Sequence, residues 1–117
     1  AMIPQTRNVA QCLSDGPLSD SALRALGMAI RRLHDRQVFH SDLNCHNLLL
    51  DAAGKAWVVD FDKCALRAGE AWKAQNLDRL LRSLRKEKAR RSPFHWDESG
   101  WGSLLLAYSG SPTAPLD

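Results

Sequence analysis

Apolar residues recur along this chain with two different periods, and the changes of period mark its elements. From about residue 20 to 34 the spacing is three to four. Ala22, Leu23, Leu26, Ala29, Ile30 and Leu33 form one stripe, with Arg24, Arg31 and Arg32 largely off it, which predicts an amphipathic helix. Ser19 is a good N-cap for that helix, and Leu18 and Leu23 are spaced as a hydrophobic staple across it. His34, at its end, reads as a packing residue. Asp15-Gly16-Pro17 is a turn, and the mixed residues 2–14 predict a leading loop with a short helix. The period then shortens. Val38-Phe39 is a brief apolar stretch, and Asn47-Leu48-Leu49-Leu50 and Ala56-Trp57-Val58-Val59 read as two short strands. Asp51-Ala52-Ala53-Gly54-Lys55 joins them as a hairpin turn, with Gly54 suited to a positive φ. From Ala71 to about Arg90 the helical period returns, in one long helix or two broken ones, with Trp72, Leu77, Leu80, Leu81 and Leu84 as apolar positions. Ser92-Pro93 stops it. Trp96, Trp101, Leu104, Leu105, Leu106 and Tyr108 predict a last helix packed on the body, and residues 109–117 a flexible tail. The fold class is α+β, mainly α, in one domain over residues 1–117.

The polar residues between these elements carry the chemistry. His40-Ser41-Asp42-Leu43-Asn44-Cys45-His46-Asn47 precedes the hairpin, and Asp60-Phe61-Asp62 follows it. A hairpin returns the chain to its start, so Asn47 and Asp60 should meet beside the loop that carries Asp42. Such a set suits phosphoryl transfer to a hydroxyl. A hydroxyl is a poor nucleophile and needs a carboxylate to orient it and accept its proton, the role expected of Asp42. Clustered phosphates need a hard cation, and Asn47 and Asp60 offer oxygen ligands for Mg²⁺ and so for the nucleotide. Positioning then does most of the work. The order matches the kinase template H-x-D-L-x-x-x-N followed by a strand ending in D-F. His40 is expected to hold the loop. The match departs at Asp62, where most protein kinases carry Gly. Either motif alone also fits turn residues flanking a hairpin; both together, in this order, favour the catalytic reading.

A hydrophobic content of 44% against 25% charged fits an ordinary globular chain and argues against disorder. No apolar run nears the roughly 18 residues of a membrane span. The first residues lack a basic stretch followed by an apolar one, so no secretory signal is expected, and Ala before Met2 suggests a cut piece. Cys12, Cys45 and Cys64 are scattered, which argues for a reducing compartment and against a disulfide framework. Zinc at Cys45, His46, His40 and Cys64 is disfavoured, because no C-x-x-C pair exists. Charge is uneven. Residues 79–91 hold seven basic residues (Arg79, Arg82, Arg85, Lys86, Lys88, Arg90, Arg91) against Glu87, a net +6, while the whole chain is +3, leaving −3 elsewhere. Such a helix suits an anionic membrane or a phosphorylated ligand, or is simply a solvated face. Nucleic acid is not expected, since no aromatics interleave the run.

The chain resembles the bacterial lipopolysaccharide kinase group of the protein-kinase-like superfamily, its 3-deoxy-D-manno-octulosonic acid (Kdo) kinases above all. The resemblance rests on Ile3 to Arg7, Leu26 to His34, Val38 to Asn47, Trp57 to Lys63 and Asn76 to Leu84, with Asp62-Lys63 and the Asn-Leu…Arg-Leu…Arg-Ser-Leu segment as its family-specific parts. It implies the C-terminal, large lobe of a kinase-like fold, its hairpin carrying the metal-binding residues. It further implies ATP and Mg²⁺, the Kdo sugar on lipid A as acceptor, and work as a peripheral protein at the cytoplasmic face of the inner membrane of Gram-negative bacteria. A kinase also needs a Gly-rich loop and a Lys on the phosphates, paired with a helix Glu. Here the first Lys is Lys55 and the first Glu is Glu70. The expectation is therefore a large lobe lacking its small lobe and inactive alone. The alternatives are a non-catalytic pseudokinase piece that binds a partner or membrane, a heptose kinase of the same group, or an atypical protein kinase.

Overall fold

In the computed structural model, which describes residues 6–109, the long apolar stripe becomes the central helix α2 (Asp20–Asp35). The Ser19 hydroxyl accepts the Ala22 N–H at 3.1 Å, satisfying one of the amides that a helix start leaves open. Leu18 and Leu23 border the same apolar space beside Trp96 and Trp101. Leu26 and Ile30 are buried, and the stripe ends on a buried polar residue, His34. Helix α4 (Glu98–Ser109) packs on α2. The approach is close because position 27 is Gly. A methyl group there would collide with the Leu104 carbonyl oxygen and lie 3.1 Å from the Tyr108 backbone nitrogen.

Strands β3 (Leu48–Asp51) and β4 (Ala56–Val58) form the hairpin, with Leu48 opposite Val58 and Leu50 opposite Ala56. Asp51 closes its turn. One carboxylate oxygen accepts the Ala53 and Lys55 amides, both at 2.9 Å, and the other accepts the Trp57 indole N–H at 3.1 Å. These bonds, the Trp57 one foremost, hold the Asp51 carboxyl below its ordinary pKa. Gly54 takes the positive φ of 82° that the turn requires. Strand β1 (Thr6–Asn8) pairs antiparallel with β3, giving the order β1-β3-β4. This segment was expected to be loop. Thr6-Arg7-Asn8 has no apolar residue, so its pairing is a backbone matter that no hydrophobic pattern records. Asn8 then starts α1 (Val9–Asp15) with a capping box, exchanging bonds with Gln11 at 2.8 and 3.0 Å. Strand β2 (Val38–His40) pairs with β5 (Cys64–Leu66), Val38 opposite Leu66 and His40 opposite Cys64. The exposed Ala65 and Leu66 left β5 without a sequence signal.

Helix α3 (Ala71–Arg90) is a single unbroken helix. Its buried face reads Trp72, Asn76, Leu80, Leu84 and Glu87, so two polar residues share the stripe with the expected apolar ones. Leu80 and Leu84 join Leu43, Cys45, Leu48, Trp96, Trp101 and Leu104 in one core that runs beneath the loop between β2 and β3. The architecture is α+β, mainly helical. Ser109, expected to open the tail, is the last residue of α4; residues 110–117 lie outside the described part. Among the described residues no helix is long and apolar enough to cross a membrane.

Candidate active site

The loop that carries Asp42 is built on two histidines and an asparagine that never reach solvent. His40 is fully buried at the end of β2. Its Nε2 lies 2.9 Å from the Val59 carbonyl oxygen, so that nitrogen carries the proton and donates. Nδ1 is left to accept the Asp42 backbone N–H at 3.1 Å. One neutral ring thus joins the strand before Asp60 to the start of the Asp42 loop. From below, the Asn76 amide donates to the His40 carbonyl at 2.8 Å. This commits Asn76 Oδ1 as acceptor, and His34 Nε2 donates to it at 3.0 Å. His34 Nδ1 in turn accepts the Tyr108 hydroxyl at 2.6 Å. Burial lowers the His34 pKa, the Asn76 bond only partly opposing it, and the neutral ring is the form this chain of bonds requires. A directed path therefore runs from α4 through α2 and α3 to the loop.

Asp42 is half-buried, with its loop pinned on both sides. Leu43 and Cys45 are fully buried. The Cys45 N–H bonds the Ser83 hydroxyl of α3 at 3.1 Å, and its carbonyl accepts the Ala10 N–H at 3.3 Å. The Asp42 carbonyl accepts the Asn47 side-chain amide at 2.6 Å and the Asn44 amide at 3.0 Å. Asn44 also donates to the Asp42 carboxylate at 3.2 Å and accepts the His46 N–H at 2.8 Å. Asn44 was not singled out in the sequence, although an Asn two residues after an Asp is a ready turn former. Because Asn47 gives its nitrogen to a carbonyl, its amide oxygen is turned the other way.

The hairpin then brings Asp60 to the same place. The Val59 N–H donates to the Asn47 carbonyl at 3.0 Å, so the residues flanking β3 and β4 stand side by side. Asp60 has φ 71° and ψ 48°, a left-handed conformation that costs a non-glycine residue roughly 1–2 kcal/mol. Asp is among the side chains that tolerate it. The bend feeds a short 3₁₀ turn over Phe61–Lys63, and Ser41 returns two bonds to the Lys63 carbonyl, both at 2.9 Å. The bend also turns the Asp62 carboxyl toward Asp60. The two share a hydrogen bond, which raises the pKa of Asp60 and lowers that of Asp62. Among the described residues no three His, Cys, Asp or Glu side chains gather around one point. The oxygen set is two facing carboxylates and the Asn47 amide. That suits a hard cation which keeps waters and phosphate oxygens as its remaining ligands.

The basic run of α3 is less free than its composition suggests. Glu87 is buried and lies 2.6 Å from Arg91, 3.7 Å from Arg90 and 3.5 Å from His46 of the loop. Burial alone would raise its pKa, but His46 and Arg91 outweigh it and the net shift is downward. Arg85 pairs with Glu98 at 3.0 Å and Arg82 with Asp78 at 3.1 Å. The Lys88 ammonium donates to the Phe94 carbonyl at 3.0 Å. Phe61 and Leu66, beside the site, are exposed large apolar residues.

Comparison with known proteins identifies the family of the chain. Residues 3–108 match the lipopolysaccharide kinase (Kdo/WaaP) family. The chain is 46% identical over 89 residues to a 3-deoxy-D-manno-octulosonic acid kinase of Vibrio cholerae serotype O1, covering 76% of this chain and 38% of that protein. It is 45% identical over 109 residues to the enzyme of that name from Actinobacillus succinogenes, covering 91% of this chain and 45% of the relative. With the one from Photobacterium profundum it shares 42% identity over 106 residues, 91% and 44% of the two chains. The chain thus spans less than half the length of these curated relatives. On its sequence and over nearly all of its length, it belongs to the lipopolysaccharide kinase (Kdo/WaaP) family.

Proposed function

We propose that this chain is the large, C-terminal lobe of a kinase-like enzyme that moves the γ-phosphoryl group of ATP to a hydroxyl of the Kdo sugar on lipid A. The observation that carries the reading is the meeting of three groups around one hairpin. The Asn47 amide bonds the Asp42 carbonyl, and the Val59–Asn47 backbone bond sets Asp60 beside them. Asp42 orients the acceptor hydroxyl and takes its proton; Asn44 fixes its carboxylate and His40 its backbone. The Asn47 oxygen and the Asp60 carboxylate would hold Mg²⁺, with Asp62 facing Asp60. When bound, the ion neutralises the phosphate charge that builds during transfer. His40 is a positioning residue, since its ring is buried and touches only protein.

The chain contains no Lys before Lys55 and no Gly-rich loop before Asp42, so by itself it is expected not to turn over ATP. The test pairs a full-length enzyme containing these residues with the 117-residue chain, using ATP, Mg²⁺ and Kdo-lipid A. Phosphorylation of the Kdo sugar by the former alone supports the proposal. Transfer to a heptose acceptor instead would move the assignment to another member of the group. Turnover by the short chain at the full enzyme's rate would end the large-lobe reading. The same proposal carries with it a peripheral position at the cytoplasmic face of the inner membrane, with free cations of residues 79–91 as the proposed contact to anionic headgroups.

A further inference from the structure

The ion pairs of α3 leave one part of the basic run in a distinct setting. A groove of about 530 Å³ is bordered by Phe39 of β2 and by Gln75, Asn76, Asp78, Arg79 and Arg82 of α3. Positions 75, 78, 79 and 82 follow helical spacing, so one face of α3 presents them together. The inner wall is shared with the catalytic arrangement. Asn76 is the residue that donates to the His40 carbonyl at 2.8 Å, and Phe39 immediately precedes His40. The groove therefore adjoins the root of the loop that carries Asp42. Arg79 has no acidic partner among the described residues, and Arg82 is held to Asp78 at 3.1 Å with both side chains exposed. A third guanidinium, Arg67, stacks 4.0 Å from the centre of the Phe39 ring. Arg67 does not line the groove itself, so two guanidinium groups against one carboxylate leave the hollow net positive. A guanidinium fork matches a carboxylate or phosphate through paired hydrogen bonds, which a lone ammonium cannot do.

We propose that this groove is an acceptor-side subsite, in which Arg79 and Arg82 grip an anionic group of the acceptor while Phe39 supports its apolar side. Resting on the kinase reading of Asp42, the inference names the recognised chemistry as a carboxylate of a sugar acid close to the hydroxyl that reacts. A phosphate on the lipid or in solution shares that charge, and the experiment separates the sources. The Asp78–Arg82 pair keeps one guanidinium oriented until an anion competes for it. Because it is exposed, breaking it costs little.

The test has a binding arm and a kinetic arm, both on the full-length enzyme. In the first, the side-chain Nε–H resonances of Arg79 and Arg82 are followed during titration with free Kdo, with its methyl ester, with inorganic phosphate and with anionic phospholipid vesicles. The expected result is saturable movement with free Kdo and little with the ester. No movement with free Kdo overturns the proposal, and so does equal or larger movement with phosphate or vesicles, which would mark a general anion site. In the second arm, Arg79→Ala and Arg82→Ala should each raise the acceptor KM about tenfold or more, tenfold being about 1.4 kcal/mol, with kcat and the ATP KM within about twofold. Arg79→Lys should recover only part of the loss. An unchanged acceptor KM in variants that melt like the parent overturns the subsite. A variant that fails to fold leaves the decision to the binding arm, which uses the unaltered protein. If the parent enzyme phosphorylates no Kdo acceptor, the proposed function fails, and that failure is visible before any groove variant is made.

Discussion

Two polar layers lie within a few residues of each other and are built on opposite principles. The inner layer, Tyr108–His34–Asn76–His40, is centred on three fully buried side chains, and every bond in it has one allowed direction. The outer layer, Asp42, Asn47, Asp60 and Asp62, is half-buried to exposed and keeps oxygen atoms that no protein donor satisfies, the Asp60–Asp62 carboxyls facing each other. A buried network that is only partly satisfied costs more than an apolar core. A site that must bind a cation and a phosphate needs the reverse, acceptors held open in advance. The inner layer supplies that restraint by fixing the backbone that leads into Asp42 and the Val59 carbonyl before Asp60, without using either carboxylate.

The comparison breaks most visibly if one member of each layer is removed. In the full-length enzyme, Asp60→Asn should leave no measurable Mg²⁺-dependent transfer. Asp42→Asn should lower kcat by about 10²- to 10⁴-fold, the usual worth of a positioned acid or base, with acceptor KM within a few-fold. Both should melt within a degree or two of the parent, since neither carboxylate is part of the buried layer. Near-normal turnover in Asp42→Asn would remove it as the base. Asn76→Ala should do the opposite and cost stability first. It strands the His40 carbonyl and the His34 N–H in the interior, at about 1–3 kcal/mol for each unsatisfied group, read as a drop in the urea midpoint. A melt unchanged in Asn76→Ala would mean that the inner layer carries no load.

The outer layer was legible in the sequence and most of the inner one was not, for a physical reason. Asp42, Asn47 and Asp60 are tied to fixed offsets around a hairpin, and local geometry carries that information. The α2 helix, its Ser19 cap and the Gly54 turn were legible on the same terms. Asn76 and His34 are 42 residues apart, and their contact exists only after α2 and α3 dock. His34 could be read as a packing residue, but not as the partner of Asn76. Strands β1 and β5 were missed because their pairing uses the backbone, and Asn44 because its turn-forming role depends on where the Asp42 carbonyl points. In the basic run the seven charges were countable, yet Glu98 and Asp78, outside the run, decide which of them are free.

Two smaller perturbations sharpen the division. Gly27→Ala forces α4 away from α2 through the Leu104 carbonyl, at about 1–3 kcal/mol as overpacking costs go. Because α4 carries Tyr108, this variant should also lower kcat, whereas a substitution on the exposed face of α2, Arg24→Ala, should leave both alone. The second is pH. An unfolded imidazole titrates near pH 6.5, and burial sets the folded His34 below that. Between the two values the unfolded state holds a proton that the folded one does not. Stability is therefore full above about pH 6.5 and falls as acid is added through that window. Urea midpoints at pH 7.5 and 5.5 should differ more for the parent than for His34→Gln; equal differences would show that His34 does not titrate with unfolding.

The least of the expected effects concerns the outer charges of α3, and there the same contrast between committed and free groups applies. Arg82, Arg85, Arg90 and Arg91 have acidic partners, and Lys88 bonds a carbonyl. Arg79 and Lys86 are the basic residues of the run with no such partner among the described residues. Near an anionic bilayer each free charge adds up to about 1 kcal/mol; with Arg79 assigned to the groove, Lys86 is left, and one charge gives a far weaker attraction than the net +6 of the sequence. Salt screens it over about 8 Å at physiological strength. Co-sedimentation should therefore show modest binding to anionic vesicles at low salt, lost by physiological salt, and little on neutral vesicles at any salt. Lys86→Glu should abolish most of it without changing the melt, because that side chain is exposed. Arg85→Glu should instead lower stability slightly by repelling Glu98. Equal recovery with neutral and anionic vesicles would rule out the electrostatic contact. Strong binding that survives physiological salt would mean that the ion pairs open at the membrane and release the full charge of the helix.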